Sequence, residues 1–587
     1  MSAREAEFDV VIAGLGPTGL VLAHTLGMRG VSVLVLEREP QFYGNARAVY
    51  TDGECMRIFQ SFGMADRLLR DMLEDVPVQM MLPDGSCLGT LMSDDRQYGW
   101  AMSHFFYQPF LETALADNLS KYPTVTILRG REVVRFEQDD AGVDIRHIAT
   151  AGSGYGQAPE PGSQGLHAVE ASVRARYFVG ADGGRSLVRT QLGIKMTGRS
   201  FPNPWLVVDI KARDGIDGLR HVPYFAFVCD PACPTVNCVQ PKGHHRFEFM
   251  LAPGQTKEQM EDPATVRHYL SRYVDVDRFE ILRKLVYTFN ALMAERWRDR
   301  RVFLAGDAAH MMPQFIGQGM NAGVRDAHNL GWKLHAVLSG AASDSLLDTY
   351  EHERRPHATA MIREAVRVKD FVSVSNPALA ALRNGVSRVL TRLPAIGPFI
   401  NRGDFIPKPV YRRGAYLGLP RRRWSGREGT LMPQPIVRAS DGCRHRLDDA
   451  LGAGFVLFGA GVDPRSLLDA DARAWCDRIR MRYAVIYPWG ERPYGAIPQC
   501  WPTDLIELED VSGDWYRWLK RAGARHGSVA ILRPDRFVFG IVPERRLGDA
   551  TAKLREMLGT PEISGHASLA DRTAAHIRPS FPTKEAA

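Results

Sequence analysis

Three short stretches of this chain carry residues whose types and spacing suit a phosphorylated, electron-rich ligand. In Gly14-Leu15-Gly16-Pro17-Thr18-Gly19, glycines stand at the first, third and sixth positions. That spacing lets a turn close tightly and lets backbone approach a pyrophosphate, whose charge the start of a following helix stabilises. Glu37 lies 18 residues beyond Gly19, where a carboxylate can accept hydrogen bonds from a ribose, with Arg38 beside it. In the second stretch, Gly180-Ala181-Asp182-Gly183-Gly184, an apolar run ends on an acidic glycine turn. The third runs from Arg301 to Gly323 and holds Gly306-Asp307, Pro313 and Gly317-Gln318-Gly319-Met320-Asn321. A helix beginning near Gly317 would aim unpaired N–H groups and a partial positive charge at whatever this loop holds.

The elements that position these residues follow from periodicity. Phe8 to Ala13 reads as a strand, Leu22 and Leu26 mark a helix, and Val31 to Leu36 reads as a second strand. Strand, glycine loop, helix, strand and terminal acid together form a dinucleotide-binding βαβ unit, which by itself does not separate FAD from NAD. Met56, Phe59 and Phe62 predict a helix after Asp52, and Leu111, Leu115 and Leu119 predict another after Gln108. Val302 to Leu304 is a strand, and Ala327, Leu330, Leu334 and Leu338 recur at helical spacing. The predicted fold is mixed α/β. A Rossmann-like nucleotide domain (1–80, 111–199 and 291–375) is interrupted by substrate-domain strands at 81–110 and a β-rich substrate domain at 200–290. A connector over 376–430 leads to a small α/β domain at 431–575. Residues 151–165, rich in Gly, Ser and Pro, read as a mobile loop.

At 587 residues the chain is too long for one core. Its 45% hydrophobic and 24% charged residues are those of an ordinary globular protein. A net charge of +7 spread over scattered arginines argues against nucleic-acid binding. No apolar run reaches the roughly 18 residues of a membrane span, and no apolar signal core precedes the first strand. The eight cysteines include no Cys-x-x-Cys, and Cys229, Cys233 and Cys238 fit no common metal spacing. The expectation is a cytoplasmic protein without metal or membrane.

The glycine fingerprint, Ala181-Asp182-Gly183 and Gly306-Asp307-Ala308-Ala309-His310, in this order, resemble the signature set of single-component flavoprotein aromatic hydroxylases. Arg246-Phe247-Glu248-Phe249-Met250, Gly317–Asn321, Leu347-Asp348-Thr349-Tyr350 and Arg533-Pro534-Asp535-Arg536-Phe537 are similar to the 3-(3-hydroxyphenyl)propionate hydroxylase family. That resemblance reaches from the first strand to about residue 570. It implies FAD as cofactor, NADH as transient reductant (NADPH is not excluded), O2 and a phenolic substrate as partners, and a possible homodimer. Gly14 to Gly19 would approach the pyrophosphate, Glu37 and Arg38 the adenosine side, and Arg47 and Gln108 the phosphates and ribityl chain. Asp182, Gly306 and Asp307 would complete the chain site, and Gly317, Gly319, Met320 and Asn321 would face the flavin ring. The C-terminal domain would resemble thioredoxin, redox-inert without a cysteine pair.

The implied reaction is hydroxylation of a phenol, which wants a base to take the hydroxyl proton. In the related phenol hydroxylases an acid occupies the context matched here by Arg47-Ala48-Val49-Tyr50-Thr51-Asp52-Gly53, so Asp52 is the expected base. It stands equally well as a plain helix N-cap. The accompanying tyrosine of phenol hydroxylases has no clear counterpart, and Tyr224 and His221 are the candidate substitutes. Arg246 is the candidate partner for a propionate carboxylate, Pro313 the pocket wall where flavin and substrate meet, and His310 a structural member of its motif. The rivals are a same-fold hydroxylase of another phenol (resorcinol, hydroxybenzoate or polyketide) and a flavin-binding non-enzyme. A flavin halogenase would need Trp-x-Trp-x-Ile-Pro, which the chain lacks.

Overall fold

A computed structural model describes residues 7–42, 47–152, 170–213, 219, 222, 225–418, 427–493 and 504–560. Residues 153–165 of the expected loop, His221, Tyr224 and the end of the expected C-terminal domain (561–575) lie outside the described residues.

The nucleotide domain is built on a parallel sheet. Strand Phe8–Ala13 lies between Ala171–Gly180 and Val33–Glu37, with Val302–Leu304 and Val125–Arg129 outside them. Val10, Val11 and Ile12 are fully buried, as the unbroken apolar run of a strand covered on both faces requires. Helix Pro17–Gly27 crosses helix Gln318–Leu338 closely, and a side chain at Gly323 would strike Thr18. The glycine loop before the first helix and the loop before the second are thereby locked to one another.

The second sheet runs Phe279–Tyr287, Trp205–Ala212, His244–Met250, Thr235–Val239, Phe225–Val228, Val78–Met81, Cys87–Leu91. Strand Val78–Met81, which the expected 80/81 boundary divides, belongs wholly to it. Its two faces differ with period two. Leu206, Val208, Phe247 and Phe249 pack with Met260, Val266 and Leu270, which helices Lys257–Met260 and Pro263–Leu270 supply. Those helices were not anticipated in a stretch read as strands. The opposite face carries Val207, Val236 and Glu248 in one cross-strand row, with Asp209, Arg246 and Cys238 in the next.

Residues 349–372 form one helix, where two helical segments were expected around Pro356. Burial of Tyr350, Ala358, Met361 and Ala365 carries the helix past the missing N–H. The connector contains helix Pro377–Leu390, capped by Asn376, and the short helix Gly397–Asn401. Beyond it lies a seven-stranded sheet ordered Arg444–Arg446, Ile436–Ala439, Leu505–Asp510, Arg482–Pro488, Val456–Ala460, Ser528–Leu532, Val538–Pro543. Buried ion pairs fasten it to the nucleotide domain. Arg533 donates to both Glu353 oxygens (2.7 and 2.9 Å) and to Asp535 (2.5 Å), while Lys333 donates to Glu353 (2.9 Å). None of the four side chains is more than 1% exposed. The Arg533–Phe537 motif is therefore a fastening.

Candidate active site

A cavity of 1180 Å3 lies between the parallel sheet and the second sheet. That exceeds the roughly 300–1,000 Å3 of a pocket for one small ligand, so it has room for a cofactor and a substrate together. One end is lined by Gly14, Leu15, Gly16, Pro17, Thr18, Glu37, Arg38 and Asp182. Gly14 has φ +99°, and a Cβ there would sit 2.5 Å from the Ala181 carbonyl oxygen, so only glycine serves. A Cβ at Gly16 would meet nothing within 4 Å, which leaves that side of the loop open to a ligand. Glu37 accepts from the Leu15 N–H (2.7 Å) and the Glu39 N–H (2.9 Å), tying the second strand's end to the glycine loop.

Around the middle, Gln108 accepts from the N–H groups of Arg47 and Ala48 (2.6 Å each) and donates to Glu112 (2.6 Å). Arg47, Gln108 and Asp307 all line the cavity. Asp307 opens onto it inside an enclosing wall, and burial raises its carboxyl pKa against the pull of Arg47. Asp182 accepts from Val188 N–H (3.1 Å) through one oxygen, while the other is buried without a partner.

At the far end, Gly317 begins helix Gln318–Leu338 with φ +63°, and a Cβ there would lie 2.6 Å from the Tyr50 ring. Both facts demand glycine. Asn321 donates to Gly317 O (2.9 Å) and accepts from Thr51 (2.9 Å), fixing strand Tyr50–Thr51 beside the helix start. Gly317, Gly319 and Met320 line the cavity; Gly19, Gly306 and Asn321 support it from behind. Pro313 is buried and is not a lining residue. Its neighbours Met312 and Gln314 reach the cavity instead, because Pro313 turns the chain into Gln314–Ile316. His310 bonds Asp326 (2.6 Å), which also accepts from Gly306 N–H and Arg354, so it braces the loop.

Asp52 lines the cavity and caps helix Gly53–Ser61, accepting from Cys55 N–H (3.0 Å). Its other oxygen accepts from Gln318 (3.0 Å) and Arg325 (2.5 Å), and Arg325 also donates to Glu54 (2.6 Å). Burial pushes the Asp52 carboxyl up, but Arg325 and these hydrogen bonds outweigh it and its pKa ends lowered. Arg246 donates to both oxygens of Asp209 (2.6 and 3.1 Å) and to Arg47 O (2.5 Å). Arg283, also at the cavity, lies 3.6 Å from Asp209. Two guanidiniums thus share one carboxylate, with Glu248 one row away on the same face.

Sequence reasoning passed over Glu248, Arg283, Gln314 and Arg325. Glu248 lies in the sheet row between Val207 and Val236, is 5% exposed and lines the cavity. Burial there pushes its carboxyl up to about 7, with Arg246 opposing. The signal was the alternation in Arg246-Phe247-Glu248-Phe249, which sends Glu248 to the face opposite the two phenylalanines.

The family profile of the FAD binding domain matches residues 7–365, and that of the HcaD C-terminal domain matches 429–557. A 3-(3-hydroxy-phenyl)propionate/3-hydroxycinnamic acid hydroxylase of Burkholderia cenocepacia (strain HI2424) is 36% identical over 531 residues, covering 90% of this chain and 93% of its own. Its namesake from Escherichia coli O157:H7 (strain EC4115 / EHEC) is 35% identical over 552 residues, 94% of each. Among solved structures, aklavinone-11 hydroxylase with FAD and aklavinone superposes with a TM-score of 0.73 at 26% identity, over 94% of this chain and 99% of that one. The flavin-dependent monooxygenase PieE, with FAD and substrate, reaches a TM-score of 0.76 over 95% and 100%; at 21% identity it shares the fold. The cradle left open at Gly16, the unpartnered Asp182 oxygen and the cavity's size all fit FAD. Among the described residues no helix is long and apolar enough to cross a membrane. The chain belongs to the FAD-dependent aromatic hydroxylases, in the family of the 3-(3-hydroxyphenyl)propionate/3-hydroxycinnamic acid hydroxylases.

Proposed function

We propose that this hydroxylase acts on 3-(3-hydroxyphenyl)propionate and 3-hydroxycinnamate, adding oxygen ortho to the ring hydroxyl in aromatic catabolism, with NADH as the reductant. The observation that carries the reading is the buried carboxyl group of Glu248, on the second-sheet side of a cavity whose other end is an FAD cradle. When bound, FAD supplies the redox and oxygen-transfer chemistry. The chain's own residues do the rest. Gly14, Gly16 and Gly19 admit the pyrophosphate, Glu37 and Arg38 take the adenosine side, and Arg47, Gln108, Asp182 and Asp307 take the connecting chain. The helix start at Gly317, Gly319, Met320 and Asn321 stabilises negative charge on the ring. Phe225, Phe227, Val236 and Phe315 keep water from the substrate.

A phenol becomes a good nucleophile only as its proton leaves. Glu248, poised near neutrality, takes that proton. Asp52, held ionised by Arg325, supplies a helix cap and a fixed charge, and Tyr224 and His221 are further candidates for the proton path. The guanidiniums of Arg246 and Arg283 receive the substrate carboxylate through charge-assisted hydrogen bonds. The reading includes a cytoplasmic location, a homodimer and a thioredoxin-like, redox-inert C-terminal domain. It is tested by adding 3-(3-hydroxyphenyl)propionate to the FAD-loaded enzyme with NADH. The expected result is faster NADH oxidation and a catechol one oxygen heavier; no stimulation and no such product would overturn it. The cavity's size, together with the fold shared with aklavinone-11 hydroxylase, favours as a second reading a larger polycyclic phenol, which the same assay sorts by substrate panel.

A further inference from the structure

Helix Pro377–Leu390 is turned with its polar face toward its own protein and its apolar face outward. Leu379, Leu382, Val386 and Val389 are 48–64% exposed, and Leu393, Ile396 and Phe399 continue the patch at 36–46%. The inner side holds Ala380, Arg383, Ser387 and Thr391. Arg383 pins this orientation by donating to Phe371 O and Cys229 O (2.9 Å each), and Thr391 reaches Leu88 O (3.4 Å). The helix therefore cannot roll its leucines inward without breaking these bonds. An amphipathic helix normally does the reverse, so something covers this face.

The spacing says what shape that cover has. Along the helix the apolar positions Leu379, Leu382, Val386 and Val389 step by three, four and three, a narrow stripe of the kind another helix fills, and Leu393 and Ile396 follow in the turn beyond its end. A lipid-facing helix shows a broader apolar face, with aromatic side chains at its edge. The exposed side chains amount to on the order of 600 Å2, the upper end for any patch on a monomer and most of the ~800 Å2 per partner of a standard interface. Charge sets the direction. Residues 371–403 contain four arginines and no Asp or Glu, so parallel helices would stack Arg388 on Arg388. An antiparallel pair staggers them.

We infer that this seam is the two-fold interface between two copies of the chain. The helices pack antiparallel, Leu379 against Val389 and Leu382 against Val386. This gives the proposed homodimer its surface and is independent of the substrate reading, which an oligomeric mass does not touch.

The test is sedimentation velocity on the FAD-loaded full chain and on L382E/V389E. Wild type should sediment at twice 65.5 kDa, and the variant at 65.5 kDa with its flavin absorbance unchanged. Association should weaken by at least ~100-fold, because each glutamate would be buried unpaired. As a variant-free check, hydrogen exchange across 377–399 in wild type should speed up on dilution. The proposal is overturned by a variant that stays dimeric, by exchange that ignores concentration, or by a wild type that is monomeric at every concentration, whether or not it pellets with phosphatidylserine vesicles.

Discussion

The floor and the roof of the cavity each present a buried carboxyl group, and the two are prepared for opposite tasks. Asp52 on the floor accepts from Cys55, Gln318 and Arg325, which hold it as a carboxylate. Glu248 on the roof lies between Val207 and Val236, and burial lifts it to about 7. A carboxylate tied to a guanidinium is a weak base and a good fixed charge; a carboxyl titrating near neutrality can take a proton and return it. Environment, more than residue type, divides the labour.

The strongest way to break this comparison is to unpair the floor. Arg325→Met leaves Asp52 and Glu54 buried without their cation, and should cost ~3–5 kcal/mol of stability, read as a large fall in melting temperature. Glu248→Gln should leave melting at acid pH nearly unchanged while slowing turnover by ~10²–10⁴-fold, the range of lost general base catalysis. If the two variants were equally unstable, the distinction between floor and roof would collapse.

Smaller effects sharpen the contrast. Asp52→Asn keeps a competent cap and leaves Arg325 paired with Glu54, so turnover should stay within ~10-fold of wild type with its pH profile kept. Arg283→Met should raise the KM for a substrate bearing a carboxylate by ~10-fold and leave kcat near its value, whereas a phenol without the carboxylate should show no change. Glu248 also gives a stability signature. Its folded pKa of about 7 lies above its ordinary 4.5, so the folded state holds the proton more tightly, and wild-type stability falls as pH rises between those values. The melting temperature of Glu248→Gln relative to wild type should therefore climb from pH 4.5 to pH 7 and level off above.

Much of the floor was legible in the sequence because local spacing builds it. The glycine loop, Glu37, Asp182 and the Gly306–Asn321 stretch are each set by a few adjacent residues, and the structure brings them to one cavity. The roof was not legible in the same way. Arg246 was expected as the partner of a propionate carboxylate, yet the partner it has in the fold, Asp209, is 37 residues away and found only through strand pairing. Glu248 stood in a quoted motif, but its importance depends on which pleat face meets the cavity. Pro313 was expected in the wall, where Met312 and Gln314 stand. Arg325 was hidden in a helical pattern read for its leucines; polar residues among the buried positions of a largely enclosed helix were the overlooked signal.

The central claim is that Glu248 takes the phenol proton. It is tested most directly by the pH dependence of kcat for wild type and Glu248→Gln with 3-(3-hydroxyphenyl)propionate. Wild-type kcat should rise through a single ionisation near pH 7, and the variant should be slower at every pH with that rise absent. A variant that keeps both the rate and the rise would contradict the account and return the role of base to Asp52.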